Sequence, residues 1–148
     1  MNMKNKILTF SKIAAIACAA IFIVGCDDDD DADLSFTGQT KTYTLNSVSD
    51  AAISGTVKFA ERSDKATVIT IELDGTTGGN THVAHIHSNS AAETGDIILD
   101  LTAINGSTGM SETIVKELND GTDISYSELL ELNGYVNAHL SETDLGTL

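Results

Sequence analysis

The sequence predicts an all-β domain, an antiparallel β-sandwich or partly open barrel of about six to eight short strands, with one short helix near residues 125–132. Three observations carry this. Apolar and β-branched residues recur with a period of two in several short segments. Turn dipeptides, Asp74-Gly75, Asn105-Gly106 and Asp120-Gly121, cut the chain at near-regular intervals. Only one segment, Ser125 to Leu132, has apolar residues at helical spacing behind a serine cap.

The chain opens with three lysines before residue 13, followed by the uncharged apolar run Ile13 to Val24. Such a run is too short to span a bilayer and has the length of a signal-peptide core. It ends in Ile23-Val24-Gly25-Cys26, which resembles the bacterial lipobox. The resemblance implies a signal peptide over residues 1–25, cleavage before Cys26 and acyl chains on that cysteine. Each buried CH₂ of those chains contributes roughly 0.8 kcal/mol, so two or more anchor the protein stably. The alternative is an ordinary secretory signal in which Cys26 is incidental. Cys18 lies in the removed segment, which leaves no disulfide, no thiol nucleophile and no cysteine metal ligand in the mature chain.

Asp27, Asp28, Asp29, Asp30 and Asp31 follow directly, and like charges at this density keep a segment extended and solvated. Residues 26–34 therefore read as a lipidated tether. The acidic run also resembles the surface-export signals of some Gram-negative lipoproteins. The expected address is the cell envelope, as an outer-membrane lipoprotein compatible with exposure on the cell surface.

Removal of residues 1–25 leaves 123 of the 148 residues, enough for one domain, 35–148, with a modest core. Five basic residues, Lys41, Lys58, Arg62, Lys65 and Lys116, stand against all 22 acids, a net charge of −17. That balance argues against nucleic acid and anionic headgroups as partners and suits cations.

Within the domain, Thr42 to Val48 alternates weakly. Ile53 to Phe59 alternates clearly, with Ile53, Val57 and Phe59 on one parity. Ala66 to Leu73 places Ile69, Ile71 and Leu73 on one face. Asp74-Gly75 and Gly78-Gly79-Asn80 lead into Thr81 to His87, and Asp96 to Ile104 is the next expected strand. Asn105-Gly106 signals a tight hairpin into Met110 to Leu118. Ser125 and Glu128 have the spacing of a capping box, and Asn133-Gly134 should stop that helix before strand Tyr135 to Leu140. Ser141 to Leu148 begins another short helical turn.

Three of the four histidines lie in Thr81-His82-Val83-Ala84-His85-Ile86-His87, and the fourth is His139. On a strand His85 and His87 share a face, about 7 Å apart. Ala84 and Ile86 take the opposite, core-facing parity, as do Val136, Ala138 and Leu140 in the last strand. Both histidine sets should then face outward or into a shallow pocket, with His82 on the core parity and outside the set.

Ala84-His85-Ile86-His87, Gly95-Asp96-Ile97-Ile98-Leu99-Asp100-Leu101, Ser127-Glu128-Leu129-Leu130 and Gly134-Tyr135-Val136-Asn137-Ala138-His139 together resemble the chordin-type (CHRD) domain. The resemblance runs from about residue 35 to the end. It implies an all-β domain found in bacterial secreted proteins and lipoproteins, without a defined biochemical role there. The family usually closes with a glycine-rich strand containing an arginine. Ser141 to Leu148 has none, so the expected domain lacks its closing strand.

Two histidines on one strand and a third from a neighbour suit Zn²⁺ or Cu²⁺, since imidazole binds both and three ligands leave an open position. The bland counterpart is that His85, His87 and His139 pin strands together through hydrogen bonds. Enzyme signatures are missing: there is no G-x-S-x-G and no phosphate-cradling glycine loop. Ser88, Ser90 and Ser111 have no evident orienting partner, Asp96 and Asp100 are two acids among many, and Asp120-Gly121-Thr122-Asp123 lacks the remaining ligands of a calcium loop. The expected function is a lipid-anchored, non-catalytic binding or assembly module without cofactor. Its expected partners are the membrane, through the anchor, and an envelope or extracellular protein or glycan. The alternative is a Cu- or Zn-binding envelope protein using His85, His87 and His139.

Overall fold

A computed structural model describes residues 34–49 and 51–141. The signal segment, Cys26, Asp27 to Asp31 and the expected turn after Ser141 lie outside the described residues. Seven strands and one helix follow in order: β1 (Phe36–Leu45), β2 (Ser54–Arg62), β3 (Thr67–Asp74), β4 (Thr81–Ser88), β5 (Ile97–Asn105), β6 (Met110–Val115), α1 (Tyr126–Glu131) and β7 (Gly134–Ala138). The strands form one antiparallel sheet in the order β1-β2-β3-β6-β5-β4-β7, curled into a half-barrel. Of the two expected architectures this is the partly open barrel.

The period-two pattern builds the core as expected. Val57, Phe59, Ile69, Ile71 and Leu73 are buried, and β2 pairs with β3 in the register Val57↔Ile71 and Phe59↔Ile69. Ala84, Ile86, Leu99, Leu101 and Ile104 extend the same cluster across β4 and β5. Each fully buried isoleucine or leucine contributes roughly 1.5–3 kcal/mol. Tyr126 and Leu129 of α1 join this core, and Ser125 caps the helix with the full capping box to Glu128.

Several boundaries differ from expectation. β1 starts six residues earlier than the expected Thr42, because Gly38, at φ +92°, lets the strand slip register between Phe36 and Thr40 and continue pairing with β2. Val48, expected in that strand, is exposed beyond its end. The β5–β6 turn is a four-residue loop rather than a two-residue one: Asn105 Oδ1 accepts from the Ser107 amide, and the left-handed position falls at Gly109, φ +70°. A Cβ at Gly109 would lie 2.0 Å from the Leu73 carbonyl oxygen, so glycine is required there on two counts. The helix is stopped by Leu132, which returns to extended backbone, φ −57° and ψ 132°. Gly134 instead allows β7 to approach the His87 carbonyl, 2.6 Å from where a Cβ would sit.

Two features position the site. β4 lies inside the sheet between β5 and β7, so the histidine strand is held on both edges. β5 pairs in register with β6 only at Asn105↔Met110. Further along β5, side chains serve its amides: Thr113 Oγ1 accepts from Thr102 N at 2.8 Å and Asn119 Oδ1 from Asp100 N at 3.0 Å.

Candidate metal centre

β4 and β7 pair with His85 opposite Asn137 and His87 opposite Tyr135. Ala84 and Ile86 turn into the core, so His85 and His87 project from the other face, as their parity requires. One residue past β7, the His139 amide donates to the Val83 carbonyl at 2.9 Å, which carries the antiparallel pairing far enough to bring its side chain to the same place. A segment more than fifty residues away in sequence thus supplies the third imidazole, as the shared parity anticipated.

The rings pack closely. His85 and His87 have centroids 5.9 Å apart at 84°, and His85 and His139 lie 5.3 Å apart at 59°. One ligand atom from each of the three lies within 4.8 Å of the others. Tyr135 stacks on His87 at 5.0 Å and 12°, which fixes the outer side of that ring. Of the two expected placements, outward or into a shallow pocket, His139 does not take the outward one. It is 7% exposed, its ring packed against that of His85.

A hydrogen bond and a charge contact flank the far sides of these rings. His87 Nδ1 lies 3.0 Å from the Gly95 carbonyl oxygen, and His85 Nε2 lies 3.5 Å from Asp100 Oδ1. Asp100 is itself gripped by Asn119, whose Nδ2 donates to Asp100 Oδ2 at 3.1 Å. On the core side the buried His82 places Nδ1 3.1 Å from the His139 carbonyl oxygen. His82 is therefore no member of the cluster, but with the Val83 carbonyl it fixes the backbone of the member that comes from β7.

Other ring atoms have no such partner: His85 Nδ1 and His87 Nε2 are both buried without a hydrogen bond. Burial, then the neighbouring His139, depress the His85 pKa below 6.5, with His87 adding to the effect and Asp100 opposing it. The neutral ring, the form that binds a metal, is thereby favoured.

The remaining sequence candidates do not converge here. The Ser90 hydroxyl bonds Glu93, that of Ser88 lies 3.4 Å from the Asp96 carbonyl oxygen, and Ser111 is buried on β6. Asp120 caps its own turn by accepting from the Thr122 amide, which accounts for that loop without calcium. Cys26 and Asp27 to Asp31 lie outside the described residues. Gly95, Asn119 and Tyr135 are the parts that sequence reasoning gave no role in the site. No known protein family, curated protein or solved structure matches the chain.

Proposed function

We propose that this domain is a non-catalytic metal-binding module holding one Cu²⁺ or Zn²⁺ on His85, His87 and His139. The observation that carries this is the convergence of three imidazoles within 4.8 Å while His85 Nδ1 and His87 Nε2 are buried without partners. An unpaired buried polar atom costs about 1–3 kcal/mol, and a cluster that leaves two of its ring nitrogens so placed gains by coordinating a cation. Zinc bonds of about 2.0–2.1 Å set tetrahedral ligand nitrogens roughly 3.3 Å apart, so the rings need draw in by no more than about 1.5 Å. The protein's strong negative charge raises the local concentration of cations around it. Three ligands leave a position for water or an exogenous anion.

The same proposal places the module in the cell envelope, anchored by acylated Cys26 and held off the membrane by the acidic tether, with the chordin-type resemblance as its sequence relation. A second reading, a binding or assembly module, draws on the apolar hollow of about 800 Å³ at the open side of the half-barrel, between Tyr43 and Phe59 on one side and Leu130 and Val136 on the other.

The deciding experiment is calorimetric titration of the metal-free protein with Zn²⁺ and with Cu²⁺. One equivalent should bind and raise Tm by mass action, and the His85→Ala/His87→Ala variant should lose both effects. Absence of stoichiometric binding by the wild-type protein would sink the metal reading and favour the second.

A further inference from the structure

From the polar contacts on the far sides of the rings, we infer that His85 and His87 bind the metal through opposite ring nitrogens, Nδ1 of His85 and Nε2 of His87, with the Asp100 carboxylate and the Gly95 carbonyl as the positioning groups. The inference rests on the metal reading and deepens it.

A backbone carbonyl can only accept. The contact of His87 Nδ1 with Gly95 O at 3.0 Å therefore puts the ring proton on Nδ1 and leaves the lone pair on Nε2. At His85 the bias is electrostatic: the Asp100 carboxylate, 3.5 Å from Nε2, favours the proton on that nitrogen and so the lone pair on Nδ1. Both atoms so assigned as lone-pair bearers are buried without a hydrogen-bond partner, as is Nε2 of His82 outside the cluster. The two rings stand at 84° to each other, an angle at which different nitrogens can be turned toward one point.

Both positioning groups are themselves fixed. Asn119 holds Asp100 by its side chain and its amide, and the Asn119 amide donates to the Ile98 carbonyl at 3.0 Å. Gly95 reaches His87 because the loop closes tightly on β4: a Cβ there would lie 2.0 Å from the Ser88 carbonyl oxygen. Carboxylate and carbonyl partners that orient ligating imidazoles typically change metal affinity ten- to a hundredfold when removed.

The test reads imidazole nitrogen shifts in ¹⁵N-histidine-labelled protein, then Zn²⁺ affinity. Metal-free wild-type protein should show His87 protonated on Nδ1 and His85 on Nε2. Asp100→Ala and Asn119→Ala should mix the tautomers of His85, leave His87 unchanged and weaken Zn²⁺ about ten- to a hundredfold. Added Zn²⁺ should shift Nδ1 of His85 and Nε2 of His87. His85 protonated on Nδ1 in the wild type, or Asp100→Ala with unchanged tautomers and unchanged affinity, would overturn the inference. Should the wild type bind no Zn²⁺, the metal reading fails, and the metal-free tautomers still decide the assignment by themselves.

Discussion

Asn119 and Asp100, nineteen residues apart, grip each other twice: Asn119 Oδ1 accepts from the Asp100 amide at 3.0 Å, and Asn119 Nδ2 donates to the Asp100 carboxylate at 3.1 Å. The asparagine takes the place of a neighbouring strand at a point where β5 and β6 have separated. Asn119→Ala should therefore destabilise the fold by about 1 kcal/mol, the net worth of such bonds at an exposed site. Urea unfolding measures this, and a change below about 0.3 kcal/mol would mean that water replaces the side chain without loss.

The core assignment on β5 and β6 makes a sharper contrast. Ile104 is fully buried at 0% exposure, whereas Ile114 is 55% exposed on the outer face of β6. Ile104→Ala should cost about 2–5 kcal/mol through lost transfer energy and the cavity left behind. Ile114→Ala should stay within about 0.5 kcal/mol. Equal losses in thermal unfolding would mean that the two strands expose different faces from those described.

The helix offers an independent check. A helix of six residues has little intrinsic stability, so its cap matters more than its propensity. Ser125 receives the Glu128 amide while the Glu128 carboxylate accepts from the Ser125 amide at 2.9 Å. Ser125→Ala should cost about 0.5–2 kcal/mol. Because Tyr126 and Leu129 are buried in the core, the loss should appear in global unfolding and not only as local fraying seen by hydrogen exchange.

These residues also show how far the sequence could be read. Alternation around Ile69, Ile71, Ala84 and Ile86 is a local property, and so was legible, as was the Ser125–Glu128 box. The pairing of β4 with β7 is not local. It followed from parity alone that His139 shared a face with His85, but its burial depends on the rings that pack around it. Asn119 and Gly95 were illegible for the same reason. One lies in a turn and the other looks like a strand lead-in, and only the folded chain brings them to Asp100 and His87. Gly109 shows the converse: Asn105-Gly106 is the stronger turn signal, yet the close approach of the Leu73 carbonyl sets which glycine is indispensable.

The last expectation concerns pH in the metal-free protein. Burial chiefly, and then His139, hold the His85 pKa below its ordinary 6.5. Between the folded and unfolded values the unfolded chain binds more protons, so stability rises with pH across that interval. It is complete above about 6.5 and is lost as pH falls through the folded value. Glu93 and Glu128, both held below 4.5 by hydrogen bonds from serine, also lose their contribution on acidification, but only below that range. Urea unfolding between pH 5.5 and 8 therefore isolates the imidazoles. Wild-type stability should rise with pH up to about 6.5 and level off above it, and His85→Gln should flatten the rise. Identical slopes in the two proteins would assign the pH dependence to the other histidines and leave His85 solvated. Zn²⁺ should bind most tightly on the stable side of the same transition, since protons and metal compete for one nitrogen.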